Sequence, residues 1–270
     1  MSARVAAVAL ALAACADPEP TGDPDAGTDD ASGTDAPAAC VAPTALAPGL
    51  AAYLDATIAT LSGATDITPG TRLTARATSA QRATAREFLR AELVRLGLVA
   101  TVEDYGSGAN VVAELAATTT ATAPLVVVGA HFDTVPGSPG ADDNATGTAA
   151  VLALVQQLGA LSCRDHAVRF VLFDQEEIGL VGSTYHARQL RLSGRAVTAV
   201  HTLDQLGWDR DGDRRFEIEL PTPALFAEYQ AAATTLGLAV EETTSSGTDH
   251  EAFRERGFAA VGVSEDRKST

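Results

Sequence analysis

The sequence predicts an α/β fold, a three-layer α/β/α sandwich whose mixed, mostly parallel sheet is covered by helices on both faces. Three observations carry that reading. Apolar, strand-like runs alternate with stretches of helical spacing, the pattern of a sheet built through helical crossovers. Val126-Val127-Val128, Val168 to Phe173 and Ala196 to Leu203 are near-continuous apolar runs, as expected of strands buried on both faces. Each of the three ends in a histidine or an acid, and open α/β sheets keep their sites at that edge. At 270 residues the chain suffices for one such domain with a sizeable core and short appendages.

The chain begins with Arg4 and the apolar run Val5 to Ala14, which is too short to span a bilayer and reads as the core of a signal peptide. Leu12-Ala13-Ala14-Cys15 resembles the bacterial lipobox, whose cysteine is lipidated and becomes the mature N-terminus. The alternative is an ordinary signal peptide cut near an A-x-A site. Both send the protein out of the cytoplasm, the first as a membrane-anchored lipoprotein held through Cys15, the second as a secreted protein.

Residues 16–45 hold almost no large apolar side chain and cannot offset the entropy of ordering, so they read as an acidic, self-repelling linker to a domain at 46–270. Asp17, Glu19, Asp23, Asp25, Asp29, Asp30 and Asp35 lie there without a base, which accounts for much of the net charge of −16. The remainder is moderately acidic and offers no basic stripe, which argues against nucleic acid as a partner. With Cys15 modified, Cys40 and Cys163 remain in an oxidising compartment, either as one disulfide or as two buried thiols.

Helical spacing runs from Leu50 to Leu61, and a Pro69-Gly70 turn follows. Ser79 precedes a second amphipathic helix with Ala83, Phe88, Leu89, Leu93 and Leu96 on its apolar face, closed by Gly97. Short strands are expected at Ala100 to Glu103, Asn110 to Leu115 and Leu125 to Val128. A helical pattern starts near Asn144 and shows an apolar face from Ala149 to Leu158. After the strand Val168 to Phe173 come a Gly-rich turn and a helix over Ile178 to Leu192, then the strand Ala196 to Leu203. The last third predicts a strand at Phe216 to Leu220, a helix at Pro223 to Leu236, a loop to Asp249-His250, a short helix and a final strand at Ala259 to Val263.

Set on that framework, His131 with Asp133, Glu176 with Glu177, and Asp204 fall at one sheet edge, joined by Asp142 at a helix start and His250 in a late loop. Singly each has an ordinary reading: a capping acid, a satisfied histidine, a solvated helix start. Together they make a metal cradle the better reading.

The same residues carry a resemblance to the M28 family of metallopeptidases, the aminopeptidases with two co-catalytic zinc ions. It runs through His131-Phe132-Asp133, Pro139-Gly140-Ala141-Asp142-Asp143-Asn144, Phe173 to Ser183, Leu203-Asp204 and Asp249-His250, and covers about residues 50 to 265. The resemblance implies a zinc-dependent exopeptidase fold and peptide substrates hydrolysed by a metal-activated water. It implies two Zn²⁺ ions, with Asp142 bridging, His131 and Asp204 completing one site, and Glu177 and His250 the other. Asp133 would accept the other N–H of His131, and Glu176 would be the general base. The peptide between Asp142 and Asp143 would be cis.

His131 to Pro136 also resembles the M20 peptidases and deacylases. The stretch from Glu177 to His250 has no room for their lid domain, and Asp142-Asp143-Asn144 fits M28 better. Glutaminyl cyclases of the same broad fold bind one zinc and tend to carry Asp-Ser where this chain has Asp142-Asp143. A surface lipoprotein that keeps the fold as a silent binding module would be expected to have lost ligands or the base, and every one of them has a position here. Asp209, Asp211 and Asp213 form an acidic turn that could clasp calcium but lacks the EF-hand spacing. His166, His186 and His201 match no motif and read as structural or surface residues. The family's usual Tyr-His and Asp-Thr segment and closing helix have no counterpart after Val263, so either the domain is truncated or its pocket is finished differently. Preferred N-terminal residue, native metal and oligomeric state stay open.

Overall fold

The computed structural model describes residues 46–208 and 215–265. Every residue of strand β3 (Leu125–His131) is buried. Side-chain alternation sends Val126, Val128 and Ala130 into one core cluster and Leu125 and Val127 into another. A strand apolar on both faces must be covered twice, and this one is. Helices α1 (Leu50–Leu61), α2 (Ser79–Arg95), α3 (Ala145–Gly159) and α5 (Pro223–Leu236) contribute to the larger cluster, and α4 (Val181–Ser193) and α6 (Asp249–Arg254) to the smaller. The three-layer α/β/α expectation holds.

Among the described residues the sheet has eight strands. With β1 (Ala100–Asp104), β2 (Ala109–Leu115), β4 (Ala167–Phe173), β5 (Val197–Leu203), β6 (Arg215–Glu219), β7 (Ala239–Thr243) and β8 (Ala260–Glu265), its order is β1-β2-β4-β3-β5-β8-β6-β7. The central strands β4, β3, β5 and β8 are parallel, whereas β1 and β2 join antiparallel at one side and β6 runs antiparallel to β8. His131 pairs with Phe173, and Gly129 with Thr202, so β3, β4 and β5 end side by side. That alignment positions the site. Among the described residues no helix is long and apolar enough to cross a membrane.

Three local departures from the sequence reading have physical causes. Strand β7 replaces part of the expected loop; it is a sheet edge rich in Glu and Thr and has no fully buried residue, so it lacks an apolar run. Helix α4 starts at Val181 rather than Ile178, because Asp174 to Leu180 form a turn in which Glu176 O accepts from both Gly179 N and Leu180 N. Helix α2 begins at Ser79 itself and does not follow it, and Thr78 and Gln81 bond reciprocally as a capping box.

His166, His186 and His201 take structural roles, as expected. His166 pairs with Asp165 and His186 with Glu103. His201 on β5 shares a 2.8 Å hydrogen bond with Tyr229 of α5. Burial lowers the His201 pKa to about 4. The unfolded chain protonates this residue below about 6.5 while the folded protein does not. Its contribution to stability is therefore complete above pH 6.5 and is lost as pH falls toward 4, on the order of 3 kcal/mol in all. Urea titrations from pH 7 to pH 4 should show a shallower loss of stability for His201→Gln than for the parent, and identical slopes would contradict this account.

Candidate metal centre

Strand β3 ends at His131, which is buried, and Thr148 at the start of α3 donates to its carbonyl. The Nε2 of His131 lies 3.3 Å from Asp143 Oδ1, 3.4 Å from Asp204 Oδ1 and 3.9 Å from Glu176 Oε2. Its Nδ1 lies 3.4 Å from Asp133 Oδ1. Two donor groups result, His131 with Asp143 and Asp204, and His131 with Glu176 and Glu177; within each, the ligand atoms lie within 4.8 Å of one another.

The strand ends and the turns after them aim these side chains. The Asp133 carboxylate accepts from the backbone N–H of Glu176 at 3.0 Å and of Glu177 at 3.2 Å, tying the loop after β3 to the turn after β4. Glu177 in turn accepts from Val135 N. Gln175, just before Glu176, and Gln205, just after Asp204, both have positive φ, as does Leu180 at the start of α4. Non-glycine residues in that region cost about 1 to 3 kcal/mol each, and here they cluster at the site.

Burial and like charge set the electrostatics. Burial pushes Glu176 up to about 8, opposed by His131 and reinforced by Asp249, Asp204 and Asp133. Burial likewise raises Glu177, with Asp143 adding to it. For His131 burial acts downward, but bonding to Asp133, Asp143 and Asp204 outweighs it and holds the imidazole well above its ordinary value. Carboxylates converging on one imidazole in a low-dielectric pocket call for a cation. One nitrogen and several oxygens on two overlapping sets are a donor combination that suits divalent metal ions.

The structure differs from the expectation over which of the two adjacent acids faces the site. Asp143, not Asp142, stands beside His131 and Asp204. Asp142 is used elsewhere: its Oδ1 accepts from Gly207 N at 2.8 Å, and Thr146 donates to its carbonyl. The cis peptide also lies one bond later than expected, between Asp143 and Asn144. Asn144 caps α3, accepting from Gly147 N and donating to Leu203 O, and so binds the helix start to the end of β5. Gly147 has no room for a side chain, because a Cβ would sit 2.3 Å from Leu203 O.

His131, Glu176, Glu177, Asp204 and Asp133 lie where the sequence placed them. His250 is in neither donor group; it is fully buried at the start of α6 beside Thr248 and Glu219. Its neighbour Asp249 is buried as well and is pushed up to about 7, by burial first and then by Asp204 and Asp133, against the opposing pull of His131. Cys163 is disulfide-bonded, and its expected partner Cys40 lies outside the described residues. So do Cys15, the linker, and the acidic turn at Asp209, Asp211 and Asp213.

Sequence reasoning missed Arg76. It is fully buried, yet its guanidinium donates to Phe132 O, Leu61 O, Pro139 O and Gly140 O at 2.5 to 3.0 Å, and its backbone N–H bonds Thr134 Oγ1. Burial lowers its pKa to about 10, while Asp133, Asp143 and Glu177 hold it up. Its only sequence signal is an arginine among apolar and small residues, which is too common to single out.

The model of Peptidase family M28 matches residues 110–270. Aminopeptidase YwaD of Bacillus subtilis (strain 168) is 31% identical over 139 residues, which is 50% of this chain and 30% of that protein. The probable lipoprotein aminopeptidase LpqL of Mycobacterium tuberculosis is 29% identical over 170 residues, 57% of this chain and 34% of that one. The chain thus spans about a third of the length of these curated relatives. Among solved structures, the LapA aminopeptidase of Legionella pneumophila aligns with 80% of this chain and 61% of its own, with a TM-score of 0.69 at 18% identity. The glutaminyl cyclase of Porphyromonas gingivalis aligns with 81% and 85%, with a TM-score of 0.63 at 20% identity. At such identities the two structures establish the shared fold.

Because Arg76 satisfies four carbonyls of the site's supporting loops, Arg76→Ala should lower stability by at least ~3 kcal/mol in urea titration, leaving buried acceptors unpaired. Arg76→Lys should recover little of it, since one ammonium cannot span a planar fork's positions. A loss under ~1 kcal/mol for Arg76→Ala would contradict the assigned role.

Proposed function

The chain belongs to peptidase family M28, and from that premise we propose that it is a zinc-dependent aminopeptidase removing N-terminal residues from peptides. The observation that carries the reading is the meeting of His131 with Asp143 and Asp204 on one side and with Glu176 and Glu177 on the other. The relatives named Aminopeptidase YwaD and probable lipoprotein aminopeptidase LpqL support it.

In this reading two ions would be held, with Asp143 shared between them, His131 and Asp204 serving one, and Glu177 and His250 the other. Bound zinc would polarise the scissile carbonyl and lower the pKa of a coordinated water to about 7. Asp133 keeps the His131 ring in place through Nδ1 and sets the glutamate turn through the backbone N–H groups of Glu176 and Glu177. Glu176 takes the proton of the attacking water and returns it to the leaving amine. Its burial favours that exchange, since a carboxylate raised toward neutrality both accepts and releases a proton near pH 7. The free α-amino group of a peptide carries positive charge, which the surplus carboxylates accommodate.

Glutaminyl cyclisation is a second reading, favoured by the extent of the Porphyromonas gingivalis match. The curated relatives weigh against it, since they are named as an aminopeptidase and a probable lipoprotein aminopeptidase. For location, we propose an extracytoplasmic lipoprotein anchored through Cys15, which the lipoprotein relative LpqL supports.

Hydrolysis of aminoacyl-p-nitroanilides that a chelator abolishes and zinc restores, together with rejection of N-blocked substrates, is the expected result. Cyclisation of N-terminal glutamine without such hydrolysis would overturn it. Glu176→Gln should keep its zinc and lose about 10² to 10⁴ in kcat. Zinc content should fall in Asp143→Ala and persist in Asp142→Ala, and the opposite result would return the bridging role to Asp142.

A further inference from the structure

Three elements converge behind His250. Glu219, at the end of β6, is fully buried, and so are His250 at the start of α6 and Ser264 on β8. Glu219 Oε2 lies 3.5 Å from His250 Nδ1. Its Oε1 accepts from Ser264 Oγ at 3.1 Å, and its Oε2 accepts from Thr248 Oγ1 at 3.2 Å. The same Thr248 hydroxyl is 2.8 Å from His250 Nδ1.

Thr248 occupies the N-cap position of α6, where a threonine ordinarily accepts from the helix backbone, but its side chain makes no cap hydrogen bond. The hydroxyl bridges the glutamate and the histidine instead. On the opposite side Gly262 leaves the room: a Cβ there would sit 2.2 Å from Glu219 Oε2 and 2.8 Å from His250 Nδ1. A capping residue diverted from its cap and a strand residue that must lack a side chain both serve one contact.

Donor counting then sets the histidine's tautomer. A carboxylate only accepts, so the single hydroxyl proton of Thr248 goes to Glu219. The Thr248 oxygen can then only accept from His250, which places the imidazole proton on Nδ1 and the lone pair on Nε2. That is the form a metal requires, with the ring orientation fixed by an anionic partner.

We infer that Glu219, acting through Thr248, is a positioning residue that holds His250 as the Nδ1–H tautomer and presents Nε2 to a divalent metal. The inference rests on the reading of His250 as a ligand. Glu219 acts through His250 alone and does not touch substrate.

The test is zinc binding by the purified full chain, titrated against a chelating dye, with cobalt(II) absorption as the spectroscopic readout. Glu219→Gln preserves volume and acceptor oxygen but removes the charge, and it should weaken one of the two zinc ions by about 10- to 100-fold. Its cobalt spectrum should change, and its melting temperature without metal should stay at the parent value. Thr248→Val breaks the relay without removing a cap, so it should reproduce the effect even where Glu219→Gln folds poorly. Parental zinc affinity and cobalt spectrum in Thr248→Val would overturn the inference. So would melting temperatures that fall in both variants while zinc affinity holds, since that marks a merely structural contact. The underlying reading is checked separately by His250→Ala, in which full retention of both zinc ions would remove His250 from the ligand set whatever Glu219 does.

Discussion

Crowding carboxylates around one buried imidazole is the constraint on which the rest of the structure depends. Asp133, Asp143, Glu176 and Asp204 surround His131, and in a low-dielectric pocket such a set repels itself unless positive charge or oriented dipoles answer it. Backbone N–H groups supply part of the answer. Asp133 takes those of Glu176 and Glu177, Glu177 takes that of Val135, and Asp142 takes that of Gly207. Arg76 supplies a buried guanidinium charge near Asp133, Asp143 and Glu177. Its donors are nevertheless spent on carbonyls rather than on carboxylates. The acids are therefore held in place by backbone dipoles and not paired with the guanidinium, which leaves the centre open to a metal ion.

The fold was legible because its central strands are apolar on both faces and its helices on one. Those patterns survive without knowledge of any contact, and β3, β4, β5 and the helices around them lie close to the expected limits. Strand β7 was not legible, since an edge strand with only Ala239 and Val240 before two glutamates and a threonine owes its existence to hydrogen bonding with β6, not to a run of its own. The start of α4 was misread for a related reason. Ile178 continues a helical spacing, but it is exposed in a turn organised by Glu176 O and by the positive φ of Gln175.

The site was legible in residue type and blurred in aim. Asp142 and Asp143 are the same side chain at adjacent positions, and only the backbone path between β3 and α3 decides which faces His131. That path is set by contacts far apart in sequence: Asn144 with Leu203, Asp142 with Gly207, Arg76 with Gly140. A motif can name the pair but cannot choose between its members. Arg76 and Glu219 were invisible for a further reason. Each acts from a distant segment, 55 residues before His131 in one case and 31 before His250 in the other, and neither belongs to a local pattern.

The two proposed sites are built differently, and the difference follows from topology. His131 and Asp204 sit at the ends of neighbouring parallel strands, β3 and β5, whose ladder continues to Gly129 and Thr202, so backbone hydrogen bonding fixes their separation. His250 has no such neighbour. It stands at the head of a six-residue helix that packs against the sheet through Ala252 and Phe253, and a helix that short has little rigidity of its own. What backbone pairing does for His131, side chains must do for His250, which is why Glu219, Thr248 and Ser264 gather there and why β8 offers a glycine at the point of contact. Side-chain positioning can be disturbed one residue at a time, whereas a strand ladder cannot. On the proposed reading, the metal affinity of the site of His250 would be the more sensitive to individual substitutions, because His131 has the strand ladder as well as Asp133 to hold it.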